Sequence, residues 1–200
     1  MNFRKSLKKR FGFISATSLM VLSSLLYSSA VVAMNETEKE DFRTLIVQAN
    51  KGDPDDLYEL GKRYQYGNGV AQDGFKALHY YTLAADQGHA DALYAIAGLY
   101  GGGIGVDESQ ETSDSYLRMA AFQYELKADQ GDASAQFIIA EMSYMGDGIE
   151  QDPMKALKYY TLAADQGHGI AQFHLARIYC GSERVAQDLM KAPHYYKRAV

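Results

Sequence analysis

Apolar residues recur at helical spacing from about residue 56 onwards, and glycines interrupt the pattern. The first stripe predicts one face of an amphipathic helix and comprises Leu57, Leu60, Gly61 and Tyr64. Gly67-Asn68-Gly69 follows, and glycine readily adopts the left-handed conformation that ends a helix. A second stripe predicts a helix over residues 75–87, whose buried face comprises Ala77, Tyr80, Tyr81, Ala84 and Ala85. The pattern therefore predicts a pair of helices.

This helix pair is repeated along the chain. The sequence YYTLAADQGH stands at residues 80–89 and again at 159–168. Units that begin at residues 56, 92, 135 and 171 are spaced by 36, 43 and 36 residues. A single pair cannot bury its apolar stripe, whereas stacked pairs can. We therefore expect an N-terminal cap helix (34–55) and four repeats (56–91, 92–134, 135–170 and an incomplete 171–200).

The second repeat carries seven more residues than its neighbours. We assign them to the polar stretch at residues 107–114. Its composition favours a surface loop, or a helix that begins at Ser113 or Asp114. Seven residues are also close to two helical turns, so the two helices of this repeat could instead each be one turn longer.

One segment of the chain carries a family pattern without a gap. Residues 60–88 contain L-G-x-x-Y-x-x-G-x-G-V-x-x-D-x-x-K-A-x-x-Y-Y-x-x-A-A-x-x-G. This pattern resembles the Sel1-like repeat, a relative of the tetratricopeptide repeat, and the resemblance extends over residues 56–200. It implies an all-α fold, a right-handed α–α superhelix (solenoid) of antiparallel helix pairs. It also implies a role in protein interaction without chemistry.

The first 33 residues differ from the rest. A basic head that ends at Arg10 is followed by 23 uncharged residues, which close on Val31-Val32-Ala33. This order is typical of a secretory signal peptide. We expect cleavage after Ala33 and a periplasmic or secreted protein. The alternative is a membrane-anchored adaptor, because 23 uncharged residues could span a bilayer if they were not cleaved.

The charge of the remaining chain argues against one class of partner. Without residues 1–33 the chain has 25 acidic and 15 basic residues, so its formal charge changes from −5 to −10. Such a surface repels phosphate backbones, and we expect no nucleic-acid partner. Cys180 is the only cysteine, so neither an internal disulfide nor a cysteine-based zinc site is possible. It could pair with a cysteine of another chain, but we expect it to be a small buried side chain.

The sequence predicts no catalytic, cofactor-binding or metal-binding residue. His89 and His168 each follow a glycine that ends a helix, and we expect them to cap those C-termini or to be exposed. Residues 101–105 are glycine-rich but lack the Gly-Lys-Ser/Thr of a phosphate-binding loop. The alternative function is a cell-wall or β-lactam hydrolase, as assigned to cysteine-rich relatives. Those relatives carry paired cysteines in each repeat, unlike this chain.

The strongest candidate for function is a row of aromatic residues on the first helices. They occupy one equivalent position in the four repeats: Tyr58, Tyr94, Phe137 and Phe173. Either they pack helix against helix, or they form an aromatic strip that anchors a protein or peptide in a concave groove. Neighbouring positions vary between repeats, and we expect them to face the groove and to select the partner: Lys62, Arg63, Gly98, Leu99, Glu141, Met142, Arg177 and Ile178.

Overall fold

The computed structural model describes residues 36–181, which form eight helices and no strand. The helices are α1 (Glu36–Ala49), α2 (Pro54–Tyr66), α3 (Gly74–Ala85), α4 (Ala90–Gly102), α5 (Gln110–Asp129), α6 (Ala133–Met145), α7 (Pro153–Asp165) and α8 (Gly169–Gly181). Each helix packs mainly against its neighbours in sequence. The predicted all-α solenoid of helix pairs is thereby confirmed. The expected signal peptide, residues 1–33, and residues 182–200 of the fourth repeat lie outside the described residues.

Capping residues determine where the helices begin and end. The Asp53 carboxylate accepts hydrogen bonds from the backbone N–H groups of Asp55 and Asp56, and Pro54 occupies the first turn. At the other end of α2, Gly67 has a φ of 74° and its N–H donates to the carbonyl of Arg63. Glycines end α4 and α6 in the same conformation, so the first helix of each of these pairs has the same length of 13 residues.

The core is continuous along the stack. One group of buried side chains joins α1 to α4, a second joins α4 to α8, and Ala85 and Tyr116 pack against both. Small residues occupy one equivalent position of the four first helices and are all buried: Gly61, Ala97, Ala140 and Ala176. None of the helices formed by residues 36–181 has the length and apolar character that a membrane span requires.

The additional residues of the second repeat lie inside a helix, so the prediction of a surface loop at 107–114 was wrong. Helix α5 has 20 residues, compared with 12 in α3 and 13 in α7. It begins at Gln110, because the Ser109 hydroxyl accepts the N–H of Thr112 as an N-cap. Neither Ser113 nor Asp114 starts the helix. Ser113 is already buried and donates to the carbonyl of Ala97 at 2.8 Å.

The position of the extra residues follows from two tyrosines. Tyr80 and Tyr81 are adjacent in α3, and the corresponding residues of α5 are Tyr116 and Tyr124, which are separated by the seven residues 117–123. Seven residues fall only about 20° short of two full turns. The buried face of α5 therefore keeps its orientation, and the whole helix continues to pack against α4 and α6.

Candidate partner-binding groove

The four aromatic residues of the predicted row lie on the surface presented by α2, α4, α6 and α8, which we call the groove. Their exposure alternates. Tyr58 and Phe137 are half-buried, whereas Tyr94 exposes 44% and Phe173 exposes 45% of its surface. The row therefore combines packing residues with exposed aromatic rings.

Histidine side chains explain why two of these rings are covered. The His89 ring stacks on Tyr58 with 4.7 Å between the ring centroids, and His168 stacks on Phe137 at 4.8 Å. The residue that follows Tyr94 at the equivalent position is Asp132, which has no ring. Tyr94 consequently lacks such a cover on its groove side.

The prediction that the two histidines cap the helices before them was wrong. The Nδ1 atom of His89 accepts the N–H of Ala92 at 3.2 Å, so the ring caps the N-terminus of the next helix, α4. His168 caps α8 in the same way through Ala171. Since Nδ1 is an acceptor, Nε2 carries the proton and donates to the Asp55 carboxylate at 3.0 Å. The chain turns at the preceding left-handed glycines, which places each histidine at the start of a helix.

A pocket lies in the groove between α2 and α4, and we call it the N-terminal pocket. It is lined by Tyr58, Lys62, Gln65, Tyr66, Tyr81, Asp91, Tyr94, Ala95, Gly98 and Tyr124. Two hydroxyls from the second helices enter it: Tyr81 donates to Gln65 and Tyr124 donates to Asp91, each at 2.6 Å. Burial raises the pKa of both tyrosines well above the usual value, and that of Tyr58 to about 12. These groups are therefore neutral at physiological pH.

Gly98 keeps the N-terminal pocket open. A glycine inside a helix costs about 0.5–1 kcal/mol relative to alanine. A Cβ atom at this position would meet no other atom within 4 Å, so packing does not require glycine there. The equivalent positions carry long side chains, among them Lys62 and Glu141. The absence of a side chain leaves room beside the exposed ring of Tyr94.

Lys62 already interacts with neighbouring side chains, which the sequence did not suggest. Its ammonium lies 2.8 Å from the Glu59 carboxylate and 5.4 Å from the centre of the Tyr58 ring. Arg63 also contacts Glu59, at 3.4 Å. Lys62 still exposes 39% of its side chain, so it forms a partly neutralised wall of the pocket.

A second pocket lies between α6 and α8, and we call it the C-terminal pocket. It is lined by Glu141, Tyr144, Met145, Tyr160, His174, Arg177 and Ile178. The Tyr160 hydroxyl donates to Glu141, and Nδ1 of His174 lies 2.8 Å from the same carboxylate. The rings of Tyr160 and His174 are 5.5 Å apart. The guanidinium of Arg177 lies over the ring of Phe173 at 5.9 Å.

Sequence reasoning missed Tyr160 and His174 as groove residues. Tyr160 is the equivalent of Tyr81, which was expected only to belong to the buried face of a second helix, but the Tyr160 hydroxyl donates to Glu141. His174 directly follows Phe173, and no metal-ligand spacing marked it. The spacing of the repeats could have revealed Tyr160, because it places α7 beneath α6 and α8 in the stack.

Four further expectations were wrong. Leu99, Met142 and Ile178 were expected to face the groove, but each exposes 6% of its surface or less and belongs to the core. They follow the groove position by one residue, which turns the side chain about 100° around the helix. Cys180 was expected to be buried and is exposed. Within residues 36–181 no group of three or more histidine, cysteine or acidic side chains is arranged to hold a metal ion.

Similarity to known proteins agrees with this architecture. The family model described as Sel1 repeat matches residues 54–89, 90–121, 133–168 and 169–200. Each matched segment begins at the first residue of α2, α4, α6 or α8.

Two curated relatives share parts of the chain. The ERAD-associated E3 ubiquitin-protein ligase component HRD3A of Arabidopsis thaliana is 36% identical over 69 residues, which are 34% of this chain and 10% of that protein. Chitin synthase regulatory factor 2 of Schizosaccharomyces pombe is 27% identical over 150 residues, which are 74% of this chain and 29% of that protein. The chain thus spans less than a third of the length of either relative.

Among solved structures, a Sel1 repeat protein from Oxalobacter formigenes superposes with a TM-score of 0.60 at 28% identity, over 81% of this chain and 63% of that one. The repeated helix pairs, their shared caps and the family match over more than half of the chain lead to one conclusion: this protein belongs to the Sel1 repeat family.

Proposed function

We propose that the protein is a scaffold that binds an extended segment of another protein in the groove, without a cofactor and without catalysis. The observation that carries this proposal is the exposure of two aromatic rings, Tyr94 and Phe173, on helices whose opposite faces are fixed in the core. Exposed, rigidly held aromatic side chains supply large contact areas at low entropic cost, and they are typical anchors of protein interfaces.

The polar groups of the groove favour a segment with acidic character. The acidic side chains Asp91 and Glu141 already accept hydrogen bonds from tyrosines, and Glu59 is paired with Lys62 and Arg63. Arg177, in contrast, is exposed and has no ion pair among residues 36–181. A carboxylate of the partner could therefore pair with Arg177 while an apolar side chain lies against Phe173.

The relatives support binding rather than chemistry. One is named as a regulatory factor of chitin synthase and the other as a component of a ubiquitin-protein ligase. Because this chain matches only a small part of each, their partners are not transferred to it. The proposal takes from these relatives only that a protein with such repeats accompanies an enzyme, and that the enzyme carries out the reaction.

A peptide library panned on the purified protein tests the proposal. Peptides selected on the protein should lose most of their affinity for the Tyr94→Ala/Phe173→Ala variant. The matched control is Phe75→Ala/Met154→Ala, which removes two even more exposed apolar side chains from second helices. The control should bind like the unmodified protein. Equal loss in both variants, or loss only in the control, would refute binding through the groove.

We also propose that the protein is exported and acts in the envelope or outside the cell. The support is the order of basic, apolar and small residues in positions 1–33. The intact mass of the exported protein should correspond to a chain that begins at Met34. Recovery of the full-length chain in the membrane fraction alone would instead favour the anchored adaptor.

A further inference from the structure

The lengthened helix α5 carries a row of exposed apolar side chains on the side away from the core. Met119 exposes 50%, Phe122 67% and Leu126 49% of its surface. They are spaced by three and four residues and so share one face of the helix. Two of the three, Met119 and Phe122, belong to the seven extra residues of this repeat.

The extra residues have a core side as well as an outer side. Ala120 and Ala121 are buried within the stack, and two alanines suffice to keep the helix packed. The outer positions could have been polar without loss of packing. The insertion has therefore added two exposed apolar side chains, Met119 and Phe122, to the outside of the protein beside Leu126.

Charged residues flank this row asymmetrically. With about 100° between successive residues, Met119 and Leu126 lie to one side of Phe122. Arg118 and Glu125 lie to its other side. The face thus has an apolar edge and a charged edge, and Phe122 lies between them.

This arrangement complements itself when a second helix runs antiparallel. A two-fold axis that passes between two copies at Phe122, perpendicular to the helices, makes the second α5 run in the opposite direction. The apolar edge of one helix then faces the apolar edge of the other, and the charged edge faces the charged edge. Met119, three residues before the axis, then meets Leu126 of the second copy, four residues after it. On the charged edge, Arg118 meets Glu125 of the second copy. The two Phe122 rings meet on the axis.

The charged edge is prepared for such a contact. Arg118 is exposed and has no ion pair within the described part of the chain. The Glu125 carboxylate is held by Lys155 at 2.7 Å, and the nearby Asp129 accepts the hydroxyl of Tyr159 at 2.8 Å. The acidic groups are thus fixed in position, and Arg118 of the second copy would add a second cation beside Glu125.

We propose that the protein forms a two-fold symmetric dimer through the outer face of α5, with two α5 helices antiparallel and centred on Phe122. The surface lies on a second helix and is separate from the groove, so the proposal does not depend on the function proposed above. The contact is small, and such interfaces are weak and reversible. A dimer of this kind would present two grooves to one partner or to neighbouring sites and so increase avidity.

Sedimentation velocity of the purified protein over a range of concentrations is the first test. The protein should shift from monomer to dimer as its concentration rises. Phe122→Glu should remain monomeric at every concentration. Phe75→Glu, a control at an even more exposed phenylalanine of α3, should dimerise like the unmodified protein. A monomer at all concentrations, or a dimer that Phe122→Glu leaves intact, would overturn the proposal.

A charge exchange tests the antiparallel register. Arg118→Glu and Glu125→Arg should each weaken the dimer at least several-fold, and the double variant should restore it, because both contacts re-form with reversed sign. Glu125→Arg also removes the Lys155 pair, so circular dichroism must show that each variant is folded. If the double variant is no better than the single ones, these two residues do not face each other.

Cross-linking tests the position of the axis. In a Cys180→Ser background, Phe122→Cys should form a disulfide between two chains under mild oxidation, because the axis brings the two positions together. Phe75→Cys in the same background should not. Equal cross-linking of both variants would indicate random collision. A different protein that binds α5 while this chain stays monomeric would assign the face to another partner and overturn the dimer.

Discussion

Two glycines of the first helices respond oppositely to the same substitution, because only one of them faces a neighbour. A Cβ atom on Gly61 would lie 2.5 Å from Cδ1 and 2.6 Å from Cε1 of Tyr81. Tyr81 is fully buried and its hydroxyl is tied to Gln65 at 2.6 Å, so the ring has little freedom to move aside. A Cβ atom on Gly98 would meet nothing within 4 Å.

The size of the effect follows from comparing the two variants. Alanine is favoured over glycine inside a helix by about 0.5–1 kcal/mol, and both Gly61→Ala and Gly98→Ala gain this contribution. Gly61→Ala additionally overpacks the contact with Tyr81, which typically costs about 1–3 kcal/mol. We therefore expect Gly98→Ala to be stabilised by about 0.5–1 kcal/mol. The free energies of unfolding of the two variants should differ by about 1–3 kcal/mol.

Urea unfolding followed by circular dichroism measures both variants under the same conditions. The difference between them isolates the packing contact, because the helix propensity gain cancels. Equal stabilities within error would mean that α2 and α3 do not approach as closely as described. A destabilised Gly98→Ala would mean that the groove side of α4 is covered by another part of the chain.

Three further predictions concern the caps, the tyrosines and the groove charges. His89→Ala should lower the free energy of unfolding by about 1–3 kcal/mol in urea titrations, because it removes the N-cap of α4 and the ring stacked on Tyr58. An unchanged midpoint of urea unfolding would contradict the role of His89 as the N-cap. Buried tyrosines have folded-state pKa values raised above their usual 10.0, so the folded state binds more protons than the unfolded state once the pH exceeds that value. Stability should therefore be unaffected up to about pH 9 and should fall above pH 10 by about 1.4 kcal/mol per pH unit for each such tyrosine. These residues include Tyr81, Tyr124, Tyr159 and Tyr160. Urea midpoints measured from pH 8 to about pH 11, together with tyrosinate absorbance, check this, and ionisation of all tyrosines near pH 10 without unfolding would refute it. The variant Lys62→Glu/Arg177→Glu should stay folded, because both side chains are at the surface and the exposed Lys62 pair contributes at most about 1 kcal/mol. It should capture selected acidic peptides more weakly than the control variant Lys51→Glu/Lys158→Glu. Capture at full strength would place the binding surface elsewhere.

The repeat architecture could be predicted from the sequence because its signals are local. A stripe of apolar residues, a closing glycine and a fixed spacing lie within each unit, and stacking follows from the need to bury that stripe. The position of the aromatic row could be predicted for the same reason. It needed only the register of Tyr58, Tyr94, Phe137 and Phe173 within equal units.

Other features depend on contacts between units, and the sequence pattern alone does not contain them. The polar residues that open α5 look like a loop by composition, but Ser109 caps a helix there. His89 follows a helix-ending glycine, yet it serves the next helix and covers a ring of the preceding repeat. Whether a residue of the aromatic row is covered or exposed is decided by the N-cap of the following repeat, which lies more than thirty positions further along the chain.

Photo-cross-linking of a library-selected peptide tests the central claim, binding in the groove, most directly. The peptide carries a benzophenone group and is irradiated with the purified protein, and the attachment sites are mapped by mass spectrometry. We expect attachment around Tyr66, Tyr94 and Met145, which are exposed on the first helices, and protection of these sites by unlabelled peptide. Attachment confined to the second helices, for example at Leu83 or Leu162, would contradict the account.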